Sequence, residues 1–147
     1  MKKLLAMLLA AVLLCGAAFA EGEIDDSWYE LSEDECVLTV RLDANPTTGY
    51  EWSYAFSDDT ALELLTDEYV EDAHTEGELG VGGYWAASFM GTFEVAGNVD
   101  LTLTYARSFE PEQPARQIVM HLFINEANMI QIVSTEEVPV GNAEQSQ

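Results

Sequence analysis

The sequence predicts an all-β fold, an antiparallel β-sandwich of seven or eight strands. Two observations lead there. Apolar and polar residues alternate at period two through most of the chain, as in strands with one face in a core and one toward solvent. No long stretch keeps helical spacing with caps at its ends, so helices are not expected.

The elements follow in order. A short strand is expected over 27–31. In "CVLTVRL", Cys36, Leu38, Val40 and Leu42 share a face, giving a strand over 36–43. Tyr50, Trp52, Tyr54 and Phe56 alternate with Glu51, Ser53 and Ala55, giving 50–56. A further strand is expected over 61–70. Trp85, Ala87, Phe89, Phe93 and Val95 mark 84–95, with Ala86, Ser88, Thr92 and Glu94 opposite. Val99, Leu101, Leu103 and Tyr105 mark 99–107, and Ile118, Met120, Leu122 and Ile124 mark 116–125. The last strand is expected over 129–135.

Around this domain, set at 27–138, the ends read differently. Lys2 and Lys3, an apolar run over 4–14 and the A-x-A site Ala18-Phe19-Ala20 form a secretory leader over 1–20 of bacterial type. Residues 21–26 and 139–147 read as acidic or polar tails. Cys15 is a poor lipidation anchor, because Leu14 precedes it where a small residue is preferred. No later apolar run has the roughly 20 residues of a membrane span. The expected locations are therefore secreted, periplasmic or extracellular, with the protein a monomer.

After cleavage, three arginines face 27 acidic groups, a formal charge of about −24. Such a field repels nucleic acid and anionic lipid. No D-x-[DN]-x-[DN]-G loop is present, so the charge reads as solubility rather than calcium binding. No cofactor is expected.

Enzyme chemistry finds little support. A nucleophilic pair would need Cys36 with His74 or His121. Cys36 reads as a core thiol on its strand face. His121 lies mid-strand in "VMHLF" and His74 in the acidic "EYVEDAHTEGE", a solvated loop. Two distant histidines also make a poor zinc site.

The connections are more informative. Successive antiparallel strands reverse direction, so alternate connections emerge at one end. The segments 44–49, 71–83 and 108–115 are alternate and elaborate, whereas "SDDT" (57–60) and "AGN" (96–98) between them are short. Loops held on a rigid sandwich commonly bind. In "NPTTGY" (45–50), Pro46 fixes its φ and pushes Asn45 toward an extended conformation. Gly49 supplies a positive φ, and Thr47 and Thr48 are stiff at χ1. A loop ordered before it meets a partner loses less entropy on binding. In "GELGVGGYW", Gly77, Gly80, Gly82 and Gly83 permit close backbone approach, but no Lys-Ser/Thr or helix follows, so a phosphate loop is excluded. In "YARSFEPEQP", Arg107 and Phe109 have the character of interface anchors.

These three motifs, in this order, resemble the chagasin family of inhibitors of papain-like cysteine proteases. The family pattern runs N-P-T-T-G-aromatic, then G-x-G-G, then Y-x-R-P-W. Here it reads "NPTTGY" (45–50), "GVGG" (80–83) and "YARSF" (105–109). Ser108 and Phe109 stand where the family has Pro and Trp. The resemblance implies an immunoglobulin-like sandwich and reversible, non-covalent inhibition. It also implies a protease-binding set of Asn45, Pro46, Thr47, Thr48, Gly49, Tyr50, Gly80, Val81, Gly82, Gly83, Arg107, Ser108 and Phe109. Thr47 and Thr48 would sit nearest the catalytic centre. Residues 80–83 would lie on one wall of the cleft, and Arg107 and Phe109 on the other. The competing reading is an extracellular immunoglobulin-like binding or adhesion module, since the fold alone does not choose a function.

Overall fold

Eight strands form two antiparallel four-stranded sheets in the computed structural model, which describes residues 28–140. The leader over 1–20, Cys15, the tail over 21–26 and all but the start of the tail over 139–147 lie outside the described residues. The strands are β1 (Tyr29–Leu31), β2 (Val37–Ala44), β3 (Tyr50–Phe56), β4 (Leu62–Glu71), β5 (Gly83–Gly91), β6 (Gly97–Arg107), β7 (Arg116–Ile124) and β8 (Ile130–Glu137). One sheet has the order β1-β2-β5-β4 and the other β3-β6-β7-β8.

The period-two faces become the core. Leu38, Val40 and Leu42 of β2, and Trp85, Ala87 and Phe89 of β5, point inward from the first sheet. Trp52, Leu101, Leu103, Ile118, Met120, Leu122 and Ile124 meet them from the second. Each large apolar side chain buried this way contributes about 2 kcal/mol. Toward one end the core turns aromatic. Trp52 stacks between Trp85 and Tyr105, with centroids 6.3 and 5.0 Å away. The Trp52 indole N–H donates to the Asp43 carbonyl (2.9 Å), and that of Trp85 donates to Asp67, so neither buried donor is orphaned.

Two expectations needed correction. β5 stops at Gly91 rather than continuing to 95. Phe93 is not a core residue: it is 73% exposed, with φ +66°. The chain turns there because the Thr92 amide bonds to the Ala61 carbonyl (3.1 Å) and the Phe93 amide to Asn128 Oδ1 (3.2 Å). The connection is therefore 92–96, and Gly97 and Asn98, expected in the turn, already pair with β7. Cys36 is the second correction. It precedes β2 and is only half-buried, its Sγ facing the Asp34 carbonyl at 3.3 Å. A turn built on Ser32 and Asp34, with Glu35 at φ +57°, lifts it off the strand face.

The end carrying 32–36, 57–61, 92–96 and 125–129 is tied together by Asn128. Its side chain is 1% exposed, donates to the Gly91 carbonyl (2.8 Å) and accepts from the Phe93 amide. Ile130 N–H donates to the Glu35 carbonyl at 2.7 Å, bringing the first connection to the last.

His121 lies on the outer face of the second sheet. Its Nδ1 is 2.7 Å from Asp100 Oδ1, and its Nε2 is 3.6 Å from Glu136 Oε1. The hydrogen bond to Asp100, then the charges of Asp100 and Glu136, raise its pKa above the ordinary value. A folded pKa above the unfolded one stabilises fully below the unfolded value, about 6.5, and that stability is lost as pH rises through the folded value. The denaturation midpoint of the wild type relative to His121→Gln should therefore fall as pH is raised from about 6 to about 8. A difference between the two chains that does not change with pH would refute this.

Candidate functional site

The connection between β2 and β3 crosses from one sheet to the other through a single 3-10 turn, Pro46–Thr48. We call this connection L1. Asn45 caps it: extended at φ −143°, it accepts at Oδ1 from the Thr47 amide (3.2 Å) and hydroxyl (2.5 Å). Pro46 enters where a helical N–H would lack a partner in any case. The Thr48 amide bonds to the Asn45 carbonyl (3.1 Å) and the Gly49 amide to the Pro46 carbonyl (3.0 Å). Gly49 leaves the turn at φ +82°, a conformation costly for a residue with Cβ. The backbone of L1 is thus closed on itself, while Pro46, Thr47, Thr48 and Gly49 remain exposed.

Two further bonds fix L1 to its surroundings. Asn45 Nδ2 donates to the Gly80 carbonyl (3.2 Å), and the Asn45 amide donates to the Tyr105 hydroxyl (3.1 Å). L2, residues 72–82, is the β4–β5 hairpin loop, closed by Asp72 N–H to the Gly82 carbonyl at 2.9 Å. Gly77 and Gly80 take φ +97° and +72°. A Cβ on Gly80 would make only ordinary contact with the Thr47 hydroxyl, at 3.9 Å, so the positive φ is what favours glycine there. His74 lies in L2 beside Asp72 and Glu71. L3, residues 108–115, is the β6–β7 hairpin loop, closed by Ala115 N–H to the Tyr105 carbonyl at 2.8 Å.

The three segments read from the sequence thus converge on one end. Tyr50 stacks on Tyr105 at 5.3 Å, and the Arg107 guanidinium lies over Tyr50 (4.8 Å) and Phe109 (5.8 Å). Arg107 also pairs with Glu110 at 3.5 Å. Ser108 and Phe109 are exposed, Phe109 by 71%. Asn45, Tyr50, Val81, Gly82 and Arg107 are half-buried supports. Gly83 stands apart from the other glycines. It begins β5 and is buried, and a Cβ there would lie 2.1 Å from the Val70 carbonyl. Packing between β4 and β5 is reason enough for that glycine.

Sequence reasoning missed two members. Leu79, at the tip of L2, is 96% exposed, and an apolar residue between acidic and glycine positions was a legible signal. Tyr105 carries its hydroxyl from β6 to L1, a contact across 60 residues that no local pattern reveals. Among the described residues no group of three or more His, Cys, Asp or Glu could hold a metal ion, and no helix is long and apolar enough to cross a membrane.

Comparison with known proteins bears on the family and the fold. The family model described as "Chagasin family peptidase inhibitor I42" matches residues 34–122, more than half of the chain. The crystal structure of the cysteine protease inhibitor EhICP2 from Entamoeba histolytica aligns with a TM-score of 0.52 at 22% identity, over 65% of this chain and 93% of that one. That likeness shows a shared fold. The solution structure of amebosin aligns at 33% identity and a TM-score of 0.42, over 59% of this chain and 76% of that one. No curated protein sequence matches the chain. On the family match and the fold it adopts, the chain belongs to the chagasin family and is a cysteine protease inhibitor rather than an enzyme.

Proposed function

We propose that the protein is exported by its leader and, as a monomer, blocks papain-like cysteine proteases reversibly with L1, L2 and L3. The observation that carries this reading is the closed, exposed turn of L1, with Asn45 joined to L2 and Tyr105. A papain-like cleft takes its substrate extended. L1 enters the same space as a 3-10 turn whose amides are already bonded internally. No peptide bond of Thr47 or Thr48 then lies in line with the catalytic thiolate. L2 and L3 flank L1 and rest on the two walls of the cleft, offering Leu79 from one side and Arg107 with Phe109 from the other.

The test is a titration of the purified protein against papain and a cathepsin L-like enzyme. Stoichiometric, reversible inhibition with the inhibitor intact on a gel is expected. Absence of inhibition at tens of micromolar, roughly the range expected of weak complexes, would favour an adhesion module. Serine proteases of the trypsin type should be unaffected.

L3 gives a sharper prediction. Phe109 offers less aromatic face than tryptophan and no indole N–H, and Ser108 lacks a ring to fix the turn. Ser108→Pro with Phe109→Trp should tighten inhibition by roughly 1–2 kcal/mol. Phe109→Ala should cost less than deleting "PTTG". Weaker inhibition by the double replacement would show that Ser108 and Phe109 are matched to a particular target.

A further inference from the structure

β3 and β4 are outer strands of their respective sheets, and the sandwich is open between them. A cleft of about 280 Å³ lies there, with Pro46 of L1 in its lining. Four aromatic residues, Tyr50, Trp52, Tyr69 and Trp85, line it together with the acidic residues Glu51, Asp67 and Glu68. We propose that this cleft receives the guanidinium or ammonium group of an arginine or lysine side chain on the partner protease. This rests on the inhibitor reading above and adds a specificity-determining site to it.

The chemistry of the lining points to a cation. The Tyr69 ring stands at the open side, and an aromatic face attracts positive charge through its quadrupole, while the Asp67 carboxylate on the same face of β4 adds a direct countercharge. The walls are preformed, because Trp52 and Trp85 are 7% and 6% exposed and stacked on each other. Tyr69 forms the open side, 38% exposed. It lies across Gly83, where a Cβ would come within 2.8 Å of the tyrosine hydroxyl. The buried motif glycine therefore also shapes the cleft.

Asp67 is the informative residue. It pairs with Ala87, a core residue, so it stands on the inner face of an edge strand. Its Oδ1 accepts from the Trp85 indole, and no hydrogen bond or ion pair engages its second oxygen among the described residues. Capping the indole needs only an acceptor, which asparagine would supply without charge. Guarding a sheet edge against pairing accounts for one inward charge. It does not account for the exposed Tyr69 ring beside it. Arg41, Arg107 and Arg116 pair with Glu30, Glu110 and Glu137, and among the described residues no ion pair joins any of them to Asp67. Arg107 and Arg116 do lie over the Tyr50 and Trp52 rings, at 4.8 and 5.7 Å, so those two rings already carry a cation each. A protease seated on L1 would bring its own surface against this opening.

The experiment has two arms. In the first, N-acetyl-arginine amide is titrated into the protein at millimolar concentrations, with the neutral N-acetyl-citrulline amide as control. The indole N–H resonances of the three tryptophans are followed by NMR. A saturable shift of the Trp85 resonance is expected with the arginine compound alone. It should be lost in Asp67→Asn with Glu68→Gln, a variant that keeps the acceptor for the indole. An equal response to both compounds, or to neither, overturns the proposal. In the second arm, inhibition constants of wild type and this variant are compared on a panel of papain-like proteases. The variant should be about tenfold weaker against enzymes with a basic residue facing the cleft, with the difference shrinking at high salt. Equal constants against every enzyme that wild type inhibits overturn the assignment to a protease side chain. If wild type inhibits none but the indole still responds, the inhibitor reading fails and the cation cleft stands.

Discussion

Replacing Asn45 with alanine is expected to weaken inhibition by roughly 30-fold while leaving the sandwich folded. Two contributions add to that figure. Removing the Oδ1 cap frees the Thr47 amide and hydroxyl, at about 1 kcal/mol. Removing Nδ2 unties L1 from the Gly80 carbonyl, at about another 1 kcal/mol. Neither bond is deep in the core, so most of the loss is felt as ordering cost when the loop meets a partner. Asn45→Asp separates the two, since it keeps an acceptor for Thr47 and loses the donor to Gly80. Its inhibition constant should fall between wild type and Asn45→Ala. Unchanged inhibition by Asn45→Ala, with a normal melting curve, would remove L1 preordering from the mechanism.

Gly91→Ala is expected to lower stability by about 4 kcal/mol and the melting temperature by roughly 15 °C. A Cβ at this position would lie 2.1 Å from Asn128 Oδ1 and 2.7 Å from its Cγ. Asn128 has nowhere to go. It is enclosed, sits at φ +64°, and holds the Gly91 carbonyl and the Phe93 amide at once. Displacing it leaves two polar groups without partners, each costing about 1–3 kcal/mol. The damage is at the end remote from L1, so the inhibition constant measured well below the melting temperature should be unchanged. Thermal denaturation and inhibition assays on the same preparation check both halves. A melting temperature within a few degrees of wild type would mean that the pole relaxes around the new methyl group.

These two positions illustrate what could be read from the sequence. The strand faces and the three-loop end were legible because period-two alternation and turn chemistry are local. Pro46, Gly49 and the two threonines announced an ordered turn by their own backbone preferences. Asn128 did not announce itself. Its partners Gly91 and Phe93 are 37 and 35 residues away, and an asparagine near a predicted strand start reads as ordinary turn material. Phe93 and Cys36 misled for one reason: apolar residues at the right parity look like core even where a left-handed residue marks the limit of the strand, Glu35 before β2 and Phe93 itself after β5. The cleft beside L1 was invisible because it lies between two edge strands, and edge pairing is a property of topology rather than of any one segment.

L2 is carried by one sheet and L3 by the other, and only L1 spans both. The gap between the two flanking loops is therefore set by how far apart the sheets stand, and the Trp52–Trp85 pair is the spacer nearest that end. The sandwich behaves like a pair of calipers whose opening is adjusted at the hinge rather than at the tips. Widening or narrowing the gap between the loops would then be a matter of repacking two buried indoles, with every residue of L1, L2 and L3 left as it is.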